Sequence, residues 1–272
     1  MKIWHHSVID LTLLPTYRKN MVDHAKKVLD EDVEVMIRGV PPDVYGSVPP
    51  IEAMKYQYTE FLCERFVCEG ALNAEKNGYD AFTIACFLDT GLQRARSLVN
   101  IPVLGVAETA MLVACTLGKK FSMISIGPSM QEHILDEAIN CGLEKRVASI
   151  LSIDPPVLEY QMEGDVDDGN LVENRFFQTC DKAIAAGADV IIPGEGVLNE
   201  FLFQRDIRSY KSIPILDANA IMWQYAVMLA KLQKMSGIST SRRMSFATPP
   251  KELLEKLQGI HTRYNLNESD FS

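Results

Sequence analysis

The sequence predicts an α/β fold of two pseudo-symmetric lobes, each a mainly parallel sheet flanked by helices. Three observations predict it. Short apolar runs alternate with longer amphipathic segments along almost the whole chain, the pattern of parallel strands joined by crossover helices. The stretch GYDAFTIACF (78–87) is echoed by GADVIIPGEG (187–196), which sets Gly78 on Gly187, Asp80 on Asp189 and Cys86 on Glu195 around an apolar quartet. Each copy leads through a helix-length segment to a strand beginning Ile-Pro: Ile101-Pro102-Val103-Leu104 in the first, Ile213-Pro214-Ile215-Leu216 in the second. Short β-α-β units also resemble one another by chance. Units related by a pseudo-twofold, however, turn their strand ends toward one cleft, and the active site is expected there, between the lobes.

In chain order, the short apolar runs put strands at 1–5 (MKIWH), 33–37 (VEVMI), 81–86 (AFTIAC), 101–106 (IPVLGV), 121–126 (FSMISI), 147–153 (VASILSI), 189–193 (DVIIP) and 213–216 (IPIL). The longer amphipathic segments put helices at 18–30, 50–77, 90–98, 108–117, 129–141, 171–186, 197–209, 218–235 and 250–263. The lobes then divide as 1–104, completed by 217–235, and 105–216, with 236–272 as a linker and a C-terminal helix suited to an oligomer contact.

Composition narrows the function. The 272 residues are 47% hydrophobic and 23% charged, enough to bury a substantial core. A net charge of -9 without a Lys/Arg stripe argues against nucleic acid or an anionic membrane as the partner. No apolar run approaches the roughly 20 residues that span a bilayer. The start MKIWHHSVID lacks the basic and apolar regions of a leader, so a cytoplasmic protein is expected. The six cysteines, at 63, 68, 86, 115, 141 and 180, form no CxxC pair and have no His at ligand spacing. They read as reduced thiols, with neither metal site nor disulfide framework.

Four segments break the rhythm. GVPPDVYGSVPP (39–50) is a stiff loop able to wall a pocket or merely to connect, with Tyr45 placed to close over a ligand. DPPVLEYQMEGDVDDGN (154–170) reads as a solvated acidic excursion, SGISTSRRMSFATPP (236–250) as a linker, and KELLEKLQGIHTRY (251–264) as an amphipathic helix for its own chain or a neighbouring subunit.

The run DAFTIACFLDTGLQRARSLVNIPVLGVAETAMLVACTLGKKFSMISIG, together with GADVIIPGEG and IPILDANAIMWQYA, resembles the aspartate/glutamate/hydantoin racemase superfamily, which also holds maleate isomerase and arylmalonate decarboxylase. The likeness covers most of residues 1–235 and is strongest around Cys86 and Gly105-Val106-Ala107-Glu108. It implies two pseudo-symmetric α/β lobes, no metal or organic cofactor, and one cysteine from each lobe. One thiol removes the proton α to a carboxylate or carbonyl, and the other returns a proton on the opposite face. Cys86 matches the first family cysteine, while Glu195 stands where the second is expected. Decarboxylation is disfavoured because the arylmalonate pattern keeps its cysteine in the second lobe.

Each assignment has an ordinary structural alternative. Cys86 is inert packing or a reactive thiol whose pKa the following turn and helix are expected to lower. Glu195 is a helix cap or, with Gly194 and Gly196 beside it permitting close approach, a catalytic carboxylate. Ser125, Gly127 and Ser129 offer a grip on a carboxylate or carbonyl oxygen. No arginine stands there, which points to a neutral, cyclic or apolar substrate. His6 and Ser7 follow the first strand, where the resemblance implies a substrate loop; Phe87 follows Cys86; Asp217 is expected to border the cleft. Glu108 reads as a cap. Three functions follow: a racemase or isomerase of a small carbonyl compound such as a carboxylate, amide or hydantoin-type ring, a hydrolase with Cys86 as nucleophile and Glu195 as base, and a non-catalytic small-molecule binder. A small-molecule substrate and a homo-oligomer are expected.

Overall fold

The first sheet of the computed structural model, which describes residues 1–163 and 168–261, contains β1 (Lys2–His6), β2 (Glu34–Arg38), β3 (Ala81–Ile84) and β4 (Val103–Gly105). Their order is β2-β1-β3-β4 and every pairing is parallel. The second sheet contains β5 (Phe121–Ser125), β6 (Val147–Ser152) and β7 (Val190–Pro193) in the order β6-β5-β7, again parallel. Ile215 bridges Ile191 on the side that β4 occupies in the first sheet. One topology is therefore used twice. All residues of β3, β5 and β7 are buried, as expected of central parallel strands covered on both faces.

The repeat extends to hydrogen bonds. Asp80, just before β3, accepts from the Lys2 amide at the start of β1 at 2.7 Å. Asp189, just before β7, accepts from the Lys119 and Lys120 amides before β5 at 2.9 and 3.1 Å. Past the strands, the Ala85 amide donates to the His6 carbonyl at 2.9 Å and the Gly194 amide to that of Ile124 at 2.7 Å. The two aspartates of the sequence repeat thus fix the entry of each central strand, and matching amides fix its exit.

The helices are α1 (Pro15–Val28), α2 (Pro50–Met54), α3 (Gln57–Lys76), α4 (Leu92–Leu98), α5 (Val106–Leu117), α6 (Gln131–Asn140), α7 (Asp168–Ala185), α8 (Gly196–Gln204), α9 (Ala218–Ser236) and α10 (Lys251–His261). Asp89 accepts from the Ala107 and Glu108 amides at 3.0 and 2.8 Å, capping the first turn of α5. Its carboxylate occupies the space that a Cβ on Gly105 would fill, which accounts for a glycine there. Glu108 turns outward to pair with Arg96. After the second lobe, α9 returns to pack on β3 and β4.

Four expectations change. The helix expected over 50–77 breaks at Lys55 and the extended Tyr56, so that α2 and α3 run separately. The parallel strand expected at 213–216 is β9 (Ile213–Pro214), which forms an antiparallel hairpin with β8 (Ser209–Tyr210) before Ile215 joins the sheet. The 236–250 segment is strapped down rather than loose: Arg242 donates to the carbonyls of Arg96, Val99 and Phe246. The acidic segment at 154–170 is folded inward as far as Glu163, with its continuation at 164–167 outside the described residues. Residues 262–264 of the C-terminal helix expectation also lie outside them.

Candidate active site

Between the two lobes a cavity is lined by Val8 and Ile9 after β1, Pro50, Ile51 and Met54 of α2, Ala85-Cys86-Phe87 after β3, Met130, Glu159, and Glu195-Gly196 after β7. Cys86 and Glu195, far apart in the chain, meet here because each lies two residues beyond the central strand of its own lobe. Both strands are wholly buried, so their ends are rigid platforms for side chains.

The two groups sit on different local structures. Cys86 begins a turn in which the Asp89 amide donates to its carbonyl at 2.8 Å, and α4 starts only after Gly91, whose φ of 72° is left-handed. The thiol is thus on a turn, not on the first turn of α4. Burial pushes it up to about 12, with the Thr90 hydroxyl donating to the sulfur at 3.4 Å and the Leu88 amide working the other way. The expected lowering is therefore reversed, and at neutral pH Cys86 is a thiol. Glu195 is the residue immediately before α8, yet its side chain makes no capping hydrogen bond. It opens onto the cavity instead. Burial and then the nearby Glu159 carboxylate raise it from the usual range to about 8.

Glu159 is the residue that sequence reasoning missed. Only 6% exposed, it accepts from the Ile51 amide at 2.9 Å, and burial raises its own pKa. Glu163, farther along the same segment, accepts from the amides of Thr16 and Tyr17. The acidic segment thus closes the cavity by placing one carboxylate on the N-terminus of α2 and another on that of α1, where free amides and the helix dipole favour negative charge.

Of the other anticipated positions, Phe87 and Gly196 line the cavity. His6 does not. Its ring faces the α3 side of the sheet, 5.7 Å from Phe82 and beneath Gly70, because alternate residues of a strand point to opposite faces; Val8 and Ile9 turn inward in its place. Burial lowers His6 to about 4. Ser7 is buried and accepts from the Ile9 amide at 3.2 Å. Tyr45, expected over the ligand, is a wedge under the loop: its hydroxyl donates to the Val8 carbonyl at 2.6 Å, and its outer side faces a separate apolar groove with Val44, Phe61 and Leu62. Ser125 donates to the Gly127 carbonyl at 2.7 Å and closes a turn. Gly127 faces Ile51, Ser129 is half-buried outside the lining while its neighbour Met130 lines the wall, and Gly194 gives its amide to the sheet. Asp217 caps α9 through the Ala220 amide at 3.2 Å and lies 2.9 Å from His24 Nε2, away from the cavity.

That last pair belongs to a buried network. His24 of α1 is 2.8 Å from Glu200 of α8 through Nδ1, and Asn219 donates to the same Glu200 oxygen at 2.8 Å. Burial disfavours charge on His24, but its hydrogen bonds to Asp217 and Glu200 outweigh this and hold its pKa above the usual value. The pairings tie α1 to α8 behind the cavity.

Two α/β lobes whose equivalent strand ends bring Cys86 and Glu195 to one cavity have the layout that the sequence resemblance implies. The Asp/Glu/Hydantoin racemase family model matches residues 16–226. The chain belongs to that family. Among its relatives are the hydantoin racemase of Pseudomonas sp. (strain NS671), 27% identical over 72% of this chain and 74% of the relative, and that of Rhizobium meliloti, 29% identical over 64% and 68%. The allantoin racemase from Klebsiella pneumoniae has the same fold, with a TM-score of 0.75 and 21% identity over 92% of this chain and 94% of its own. This family member is accordingly an enzyme of the racemase/isomerase class. No helix among the described residues is long and apolar enough to cross a membrane, and no group of three His, Cys, Asp or Glu among them is arranged to hold a metal ion.

Proposed function

We propose that the protein racemises a small neutral carbonyl compound, a hydantoin-type ring with an apolar substituent, by proton transfer between Glu195, the substrate carbon and Cys86. The observation that supports this most directly is the meeting of these two groups in one cavity from equivalent strand ends of the two lobes. In the resting enzyme Cys86 carries a proton and Glu195, near 8, is a base whose ionised fraction grows through neutral and mildly alkaline pH. The Glu195 carboxylate takes the proton from the carbon beside the carbonyl: a C–H bond breaks, an O–H bond forms, and the electron pair passes into an enolate. The Cys86 thiol then gives its proton to the opposite face and is left as thiolate. Reaction of the other enantiomer runs these transfers in reverse.

The lining supports a neutral substrate. It contains no Lys or Arg, two carboxylates, and apolar walls from Val8, Ile9, Ile51, Met54, Phe87 and Met130, surroundings that disfavour a substrate carboxylate. The cavity encloses about 40 Å³, space for a few waters at roughly 10–15 Å³ each. A ring therefore needs this space to widen; one wall is the segment that carries Glu159, held by the Glu159 and Glu163 carboxylates and by the Val157 amide on the Ile126 carbonyl.

The test is solvent-isotope exchange. Allantoin and hydantoins bearing methyl, isobutyl or benzyl groups on the exchanging carbon are incubated in D2O and followed by NMR and polarimetry. The expected result is deuterium at that carbon with loss of optical rotation. Ring opening accompanied by a thioester trapped on Cys86 supports the hydrolase alternative, and binding without exchange or hydrolysis supports the non-catalytic one.

A further inference from the structure

Tyr17, in the first turn of α1, is 2% exposed, and among the described residues its hydroxyl has no hydrogen-bond partner. A buried hydroxyl without a partner is destabilising, so the fold keeps an unused donor here against its own stability. Its place shows where that donor is directed. A Cβ added to Gly196 would sit 2.6 Å from the Tyr17 oxygen and 3.6 Å from the Ala85 carbonyl oxygen. Gly196 and Ala85 both line the cavity, one beside Glu195 and the other beside Cys86. The phenol oxygen thus lies just behind the lining, against Gly196 and near the Ala85 carbonyl, next to the residues that flank both proposed proton-transfer groups.

The surrounding structure holds it there. Tyr17 and His24 are two turns apart on one face of α1, and His24 is bound to Glu200 of the helix that begins at Gly196. The Tyr17 amide is fixed in turn by the Glu163 carboxylate. Burial, with Glu200, Glu195 and Cys86 adding to it, raises the phenol well above its ordinary pKa. It therefore remains a donor across the whole working range.

We propose that the Tyr17 hydroxyl is a third catalytic group, donating a hydrogen bond to the substrate carbonyl oxygen beside the exchanging carbon and stabilising the enolate oxygen as its charge develops. This rests on the two-group reaction proposed above. The proton stays on Tyr17: the C–H bond breaks toward Glu195, electron density reaches the carbonyl oxygen, and the phenol hydrogen bond strengthens until Cys86 reprotonates carbon. An unpaired, preorganised donor suits this task because nothing has to be broken before substrate binds.

The experiment measures D2O exchange on the same panel by wild type and Tyr17→Phe, with melting temperatures. The expected result is a kcat lower by about 100-fold, the order of losing one oxyanion donor, with KM within about threefold and a melting temperature unchanged or higher. On an analogue whose carbonyl beside the exchanging carbon is a thiocarbonyl, a poor acceptor, the penalty contracts to below about tenfold. A Tyr17→Phe kcat within about threefold of wild type overturns the assignment. So does an equal penalty on the thiocarbonyl analogue, or a markedly lower melting temperature, which would make Tyr17 a packing residue. Absence of exchange by the wild type on every member overturns the two-group reaction and this assignment with it, which distinguishes that failure from one confined to Tyr17.

Discussion

The ends of the two central strands share a backbone and differ in chemistry. After β3 and after β7 the very next amide returns to the neighbouring strand in the same way, and the second residue beyond each strand faces the cavity. In the first lobe that residue is a thiol on a turn, with α4 held off until Leu92. In the second it is a carboxylate at the threshold of α8. A helix N-terminus favours an anion, yet burial and Glu159 prevail and Glu195 is raised to about 8. Position in a repeated fold thus fixes where a group points, while its protonation is set by neighbours that the repeat does not share.

The comparison breaks most completely at Cys86. Cys86→Ala is expected to reduce racemisation by at least about 10³-fold, within the usual contribution of a positioned acid or base, leaving only exchange with retention in the enantiomer that Glu195 deprotonates, while circular dichroism and melting temperature stay near those of wild type. Full activity in this variant would remove the thiol from the reaction.

Glu195→Gln is expected to cost about 10²–10⁴-fold in exchange and to change the pH dependence of stability. The carboxyl titrates at 4.5 in its ordinary state and near 8 in the fold, so in that window the native state keeps a proton that the unfolded chain releases. Its stabilising contribution is full below 4.5 and is lost as pH rises through the folded value. Chemical denaturation of wild type from pH 5 to 8 should show falling stability. The slope should diminish in Glu195→Gln without vanishing, because Asp89, also raised to about 8, titrates in the same direction. An unchanged slope would mean that Glu195 is not raised.

Gly105→Ala probes a part of the first lobe outside the reaction. Its added Cβ would collide with the Asp89 carboxylate that caps α5, and about 1–3 kcal/mol of destabilisation is expected in urea denaturation. Glu159→Gln has the smallest predicted effect and sharpens the comparison most. Removing the neighbouring charge lowers Glu195, and the acidic limb of kcat/KM moves to lower pH while the alkaline limb associated with Cys86 remains. A pH–rate profile checks both limbs.

Much of this molecule is written locally. AFTI and VIIP are short apolar runs bounded by turn residues, and their strands lie where those runs lie. The matched aspartates and Ile-Pro pairs made the repeated topology readable. The cavity was readable where it depends on strand ends, at Cys86 and Glu195, and obscure where it depends on distant packing. Glu159 sits among Pro, Asp and Gly residues whose local character is that of a solvated loop, and only contact with the α2 amide, over a hundred residues back, makes it a buried acid. Tyr17 looks like any aromatic on an amphipathic helix. His6 failed for a different reason: it lies on the last residue of a strand, where a single step of alternation selects the face.

The unlike pair at the two strand ends has a consequence for flux. For a substrate with one stereocentre the enantiomers have equal free energy, so a single catalyst must have the same kcat/KM in both directions at every pH. In the proposed reaction, a carboxylate facing a thiol therefore cannot make the enzyme prefer either hand when substrate is scarce. The inequality of the pair emerges only at saturation, as a faster turnover of one enantiomer offset by its proportionately weaker apparent binding.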